Sequence, residues 1–143
     1  MFINNPIDLL KFEHAIFRVR FSIIERLLNN CDNDAFYLLQ ETHEFIINWH
    51  AKIEDKYIFL FYGDAAKRFH SDHLLIEKYG NSIIKEKRKD WAERYIKIVL
   101  DHNNDEENIL FNQNINVQSS WNNILEELKN YKDYSKYTGI RDL

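Results

Sequence analysis

WHAKIED, residues 49–55, places His50 one helical turn ahead of Glu54. LDHNNDEE, residues 100–107, repeats that spacing with His102 and Glu106. Side chains four residues apart lie on one face of a helix. The first pair belongs to a longer stripe: Phe36, Leu39, His43, Ile46, His50, Ile53, Tyr57 and Leu60 recur at spacings of three and four. The second pair belongs to another, with Trp91, Tyr95, Ile98, His102, Glu106 and Ile109. Such spacing predicts helices over about residues 34–62 and 90–112, each carrying an imidazole and a carboxylate on its apolar face.

Two further stripes complete the pattern. Leu10, His14, Phe17, Phe21, Ile24 and Leu28 predict a helix from Ile7 to about Asn29, with Pro6 at a position where its missing N–H costs nothing. Gly63 is expected to end the second helix, and Phe69, His73, Ile76, Gly80 and Ile83 predict another, capped by Asp64 and closing near Lys85, Lys87 and Arg88. Asp32 or Asp34 can cap the second helix and Asp90 the fourth. A shorter fifth helix is expected after Ser119 or Ser120, with Trp121, Ile124, Leu125 and Leu128 on one side. Long helices joined by short loops pack antiparallel, so the expected fold is all-α. It is an up-down-up-down four-helix bundle with a short C-terminal fifth helix.

The composition agrees. A chain of 143 residues fits one domain, 1–143, with the four-helix core over about 7–112 and the C-terminal helix and tail over about 119–143. Three Gly and one Pro are too few for the tight turns of a sandwich or barrel. A net charge of -4 argues against a nucleic-acid surface, and KEKRK (85–89) reads as a solvated helix end. No stretch approaches the roughly 20 apolar residues of a membrane span. The charged residues of MFINNPIDLLKFEH rule out an uninterrupted signal-peptide core. The single Cys31 leaves no disulfide framework and fits a reducing compartment, so a cytoplasmic location is expected.

Every long stripe contains a histidine, and their registers agree. With turns near residues 31, 63 and 88, His14 lies 17 residues before the first and His50 lies 19 after it. His50 lies 13 before the second turn and His73 ten after it; His73 lies 15 before the third and His102 14 after it. At 1.5 Å per residue these levels agree within about 3–5 Å. Four imidazoles and two carboxylates are thereby expected at one depth of the interior. Two bare carboxylates there would repel and lose several kcal/mol of hydration each, roughly. Dications reverse that balance, since carboxylates and neutral imidazoles are ligands. The set suits a dinuclear site, its imidazole–carboxylate mixture favouring two iron ions, with manganese or zinc also compatible.

With those six residues in view, the chain resembles the hemerythrin-like, HHE cation-binding family over roughly residues 7–112. The family pattern is a His on the first helix, His-x-x-x-Glu on the second, His on the third, and His-x-x-x-Glu or a related spacing on the fourth. Here these are His14; His50 and Glu54; His73; and His102 and Glu106. The apolar-rich EDKYIFLF and EENILF that follow the two carboxylates also look like the family. The resemblance implies that His14 and His50 serve one iron, His73 and His102 the other, and that Glu54 and Glu106 bridge. Oxygen-carrying members place a second His four residues after the third-helix His, where this chain has Glu77. The remaining set looks more like members that bind or sense iron, oxygen or nitric oxide. Dioxygen or another small diatomic is the implied partner.

Other residues on or near the stripes read differently. His43, seven residues before His50, is about 10 Å away along the axis and is expected to be structural or an outer partner. His70 reads as an edge residue, Glu77 as solvated, and Tyr57, Tyr95, Trp91 and Trp121 as packing. Tyr131, Tyr134 and Tyr137 read as a tail draped over the helices. The alternatives to a binding or sensing role are two. One is a di-iron enzyme, oxidase-like or peroxidase-like, or one handling nitric oxide or iron–sulfur repair; the repair relatives carry an N-terminal domain with a Cys pair that these 143 residues lack. The other is a bundle with a structural metal. Neither the Glu-x-x-His of ferritin-type oxidation nor the HExxH of zinc hydrolases sits on these seams.

Overall fold

The computed structural model describes residues 2–143, and no strand occurs among them. Helix α1 (Pro6–Asn29) opens as its sequence dictates: Asn5 is extended and its side-chain oxygen accepts from the Asp8 N–H at 2.9 Å, with Pro6 in the first turn. It ends where Cys31 turns left-handed at φ 54°. Helix α2 (Asp34–Phe45) follows, its start held by the Asp34 N–H on Asp32 Oδ1 at 2.9 Å. The same rod continues through a π-helical turn (Ile46–His50), the short α3 (Ala51–Ile53), a second π-turn (Glu54–Ile58) and a 3-10 turn (Phe59–Phe61).

A further 3-10 turn (Gly63–Ala66) leads into α4 (Lys67–Glu86). Lys87, left-handed at φ 54°, and extended Arg88 then reverse the chain into α5 (Lys89–Asp105). Asp90 therefore lies inside the first turn rather than capping it, and pairs with Arg88 at 2.9 Å. A third π-turn (Glu106–Leu110) extends the fourth rod. Helix α6 (Trp121–Asn130) and the short α7 (Tyr134–Thr138) close the chain.

The four rods meet in a closed cycle, α1 on α2, α2 on α4, α4 on α5 and α5 back on α1. Each neighbouring pair is antiparallel. Residue 14 meets 50 while 20 meets 42, and 72 meets 102 while 68 meets 105. Similarly 43 meets 81 while 55 meets 73, and 14 meets 107 while 21 meets 95. One apolar core fills the space between, with Leu10, Phe17, Phe21, Leu39, Ile53, Phe69, Ile76 and Tyr95 fully or almost fully buried. Burying a large apolar side chain of this kind contributes about 1.5–3 kcal/mol relative to exposure.

The sequence stripes follow the core except just beyond the second π-turn and within the third. Leu60 and Ile109, expected inside, are exposed, and Ile58 with Phe59, and Leu110 with Phe111, take the interior instead. A π-turn holds more residues than an α-turn, so a stripe extrapolated at 3.6 residues per turn falls out of phase beyond it. No helix is long and apolar enough to cross a membrane.

One close approach fixes the α2–α4 contact. The His43 imidazole lies flat over Gly80, where a Cβ would come within 2.1 Å of His43 Cε1. The ring cannot easily retreat, since Tyr95 Oη donates to Nδ1 at 2.6 Å and Nε2 donates to Asn81 Oδ1 at 2.9 Å. Burial lowers the affinity of His43 for a second proton, consistent with this neutral tautomer. Gly80→Ala is therefore expected to lower stability by about 1–3 kcal/mol despite alanine's better helix propensity. Denaturant melts check this; equal or greater stability in the variant would show that the helices separate freely here.

Candidate metal centre

His14, His50, Glu54, His73, His102 and Glu106 come together at one level of the interior, all buried. Their donor atoms form two groups of four that could hold metal ions: His14, His50, Glu54 and Glu106; and His73, His102, Glu54 and Glu106. Within each group the donors lie within 4.8 Å of one another, and both groups use both carboxylates. Glu106 faces each half with a different oxygen, Oε1 toward His14 Nε2 at 3.3 Å and Oε2 toward His102 Nε2 at 3.4 Å. Glu54 Oε1 stands 3.3 Å from His50 Nε2 and 3.2 Å from His73 Nε2.

The backbone helps aim these groups. His50 ends the first π-turn, Glu54 begins the second and Glu106 begins the third. Five residues beyond each carboxylate a phenylalanine covers an imidazole, Phe59 stacked on His73 at 5.3 Å and Phe111 on His14 at 6.1 Å between ring centres. His43 and His70 belong to neither donor group, and Glu77 is exposed. His70 sits at the edge, its Nδ1 3.0 Å from Asp55 Oδ1.

Four residues that the sequence stripes did not single out hold the imidazoles. His14 Nδ1 donates to Glu107 at 3.2 Å, His50 Nδ1 to Glu13 at 2.8 Å, His73 Nδ1 to Asp55 at 2.9 Å and His102 Nδ1 to Asp72 at 2.9 Å. Every bond crosses to the next rod in the same sense around the cycle. Neighbouring residues on a helix diverge by about 100°, so an acid beside a donor faces the adjacent rod. Because neighbours run antiparallel, the acid must precede the donor on one rod and follow it on the next. The chain does so, as Glu13-His14, Glu54-Asp55, Asp72-His73 and Glu106-Glu107. That alternation was the signal available in the sequence.

With Nδ1–H committed to carboxylates, every Nε2 turns its lone pair inward. Nε2 of His14 and His50 face each other at 3.0 Å. Nε2 of His73 and His102 and both oxygens of Glu54 and of Glu106 have no hydrogen-bond partner. So many buried acceptors without donors is costly in a bare protein. Cations resolve it. Two nitrogens bound at about 2.1 Å and at right angles to each other lie about 3.0 Å apart.

Without metal, protons are the competing cations. Burial pushes the His50 imidazole down, but Glu54 and Glu13 against it outweigh that and hold it well above its ordinary range. His73 is likewise opposed by burial yet raised to about 10 by Asp55 and Glu54, and His102 is raised by Asp72 and Glu106. Burial pushes Glu54 up, but His50, with Glu106 and His73, holds it well below the carboxylate range. His50, His73 and His102 therefore take up protons and Glu54 stays ionised.

In comparisons with protein-family models, curated proteins and solved structures, nothing matches this chain.

A raised imidazole stabilises the fold fully below its unfolded value, near 6.5, and loses that contribution as pH climbs through the folded value, about 10 for His73. The depressed Glu54 contributes above about 4.5 and loses its share as pH falls. Metal-stripped protein should therefore melt at progressively lower temperature as pH rises from 6.5 toward 10. Metal uptake at pH 7 should release protons, read by calorimetry in buffers of different ionisation heat. Binding with no proton release would refute this charge assignment.

Proposed function

We propose that the chain is a hemerythrin-like, non-haem dinuclear metal protein: a single-domain, up-down-up-down four-helix bundle that holds two iron ions and binds or senses dioxygen or another small diatomic in the cytoplasm. His14 and His50 would hold one ion, His73 and His102 the other, and Glu54 and Glu106 would bridge. The observation that carries this reading is the sharing of both carboxylates by two four-donor groups. A mononuclear site would leave two of the four buried imidazoles without a cation.

Bound iron would supply a redox change and coordination positions beyond the four protein donors, where an outside ligand can sit. Four donors would close a tetrahedral zinc site, whereas a six-coordinate ion keeps two positions free. The chain's own residues do the rest. Glu54 and Glu106 bring negative charge to offset two dications, and the imidazoles add neutral donors. Glu13, Asp55, Asp72 and Glu107 fix ring orientation and raise ligand basicity. Phe59 and Phe111 cover His73 and His14 and keep water off the donor layer. Glu77, exposed on α4, adds no donor at the place where oxygen carriers have a further histidine. That favours binding or sensing over the five-histidine route to oxygen carriage.

Elemental analysis of iron-loaded protein should approach two ions per chain. Glu54→Ala or Glu106→Ala should lose both, and His43→Ala or His70→Ala should lose neither. One tightly held ion, or none after reconstitution, would overturn the dinuclear reading. An anaerobic ferrous spectrum followed through air exposure then sorts the function. A reversible change supports ligand binding, steady peroxide release supports an oxidase, and silence supports a structural metal.

A further inference from the structure

The ring of carboxylates is uneven. The side chains of Asp55, Asp72 and Glu107 are 29%, 34% and 24% exposed, whereas Glu13 is 0% exposed. Glu13 is also the member with the most donors. Its Oε1 takes His50 Nδ1–H at 2.8 Å, and its Oε2 takes Trp49 Nε1–H at 2.9 Å and the Tyr134 hydroxyl at 2.8 Å. Tyr134 belongs to α7, at the far end of the chain from Glu13. The hydroxyl of the C-terminal Tyr134 thus stands two hydrogen bonds from an inward-facing imidazole. Around it Tyr131 stacks on Trp49 at 5.2 Å and Tyr137 on Phe45 at 5.0 Å between ring centres.

An imidazole can swing away from a cation only by breaking or dragging its Nδ1–H bond. Where the partner carboxylate touches solvent, water can take over that bond as the ring leaves. Asp55 is looser still, because Oδ1 is shared between His73 and His70. At Glu13 no water reaches the carboxylate, and Trp49 and Tyr134 pin its second oxygen. Leaving His50 in motion there strands a buried anion.

Resting on the dinuclear reading above, we propose that Tyr134 is a positioning residue for metal: through Glu13 it makes the His14/His50 position the slower to exchange and the His73/His102 position the faster. Metal occupancy and docking of the C-terminal helix are then coupled. By reciprocity, whatever the docked Tyr134 adds to the equilibrium affinity for the ion, the bound ion adds to the docking of α7.

The experiment uses full-length protein loaded anaerobically with ferrous iron and challenged with excess colorimetric ferrous chelator. Wild type should release two ions in two resolved phases. Tyr134→Phe keeps the ring and loses only the hydroxyl, and it should accelerate the slow phase by roughly 3–10-fold, less than the cost of about 10–100-fold for losing a partner bonded directly to a ligand, because the hydroxyl acts through Glu13. Asp72→Asn should accelerate the fast phase instead. Tyr137→Phe removes a hydroxyl from the same segment without touching Glu13, and it should change neither. Amide exchange over residues 134–138 should slow on metal loading in wild type but not in Tyr134→Phe. Two ions leaving in one phase, or a slow phase unchanged in Tyr134→Phe with intact helicity, overturns this inference alone. Fewer than two ions bound by wild type overturns the dinuclear reading and this inference with it.

Discussion

Glu54 and Glu106 are buried carboxylates at one level, and none of their four oxygens has a hydrogen-bond donor. Their hydration is lost and no backbone amide replaces it, so the interior must bring positive charge to them. That demand sets the register of all four rods, because each contributes one imidazole to the same layer. A slip of one residue on any rod would move its imidazole by about 100° and 1.5 Å and leave a carboxylate uncompensated. Apolar packing tolerates such shifts far better, since many hydrophobic arrangements fill a similar volume.

The outer carboxylates extend the same logic. Each imidazole is held from a neighbouring rod, so the orientation of a donor depends on helix packing rather than on its own helix. The result is a cycle, Glu13 to His50, Asp55 to His73, Asp72 to His102 and Glu107 to His14. Six acids and four imidazoles gather here, in a chain whose net charge is only -4. Negative charge is concentrated where cations, whether protons or metal ions, are drawn in. His43 shows what an interior histidine looks like outside this field: neutral, between a hydroxyl and an amide, over a glycine.

Much of this was legible in the sequence. Periodicity identified the helices, and the buried stripe of α1 from Leu10 to Leu28 and that of α4 from Phe69 to Ile83 lie inside residue for residue. Register counting brought the six donors together because neighbouring rods run antiparallel and their turns are short. The spacing failed at Leu60, just beyond a π-turn, and at Ile109, inside one, because such a turn holds an extra residue. A π-turn carries no composition signal of its own, because the same side chains fit an α-turn and only the packed neighbours choose between them.

The sequence by itself determined the helical class, the inward face of each rod and the common depth of six donors, because all three follow from local spacing and a fixed rise per residue. Tertiary structure alone decided which acid holds which imidazole. Glu13 and His50 are 37 residues apart, and Glu13 and Tyr134 are 121 apart. No local rule relates them, since hydrogen bonds between rods depend on which rods become neighbours and how far each is rotated. The difference between the two halves of the site arises in the same way. It comes from where the last short helix lies down, and the place that receives it, lined by Phe45, Trp49 and Glu13, exists only once the other helices have packed.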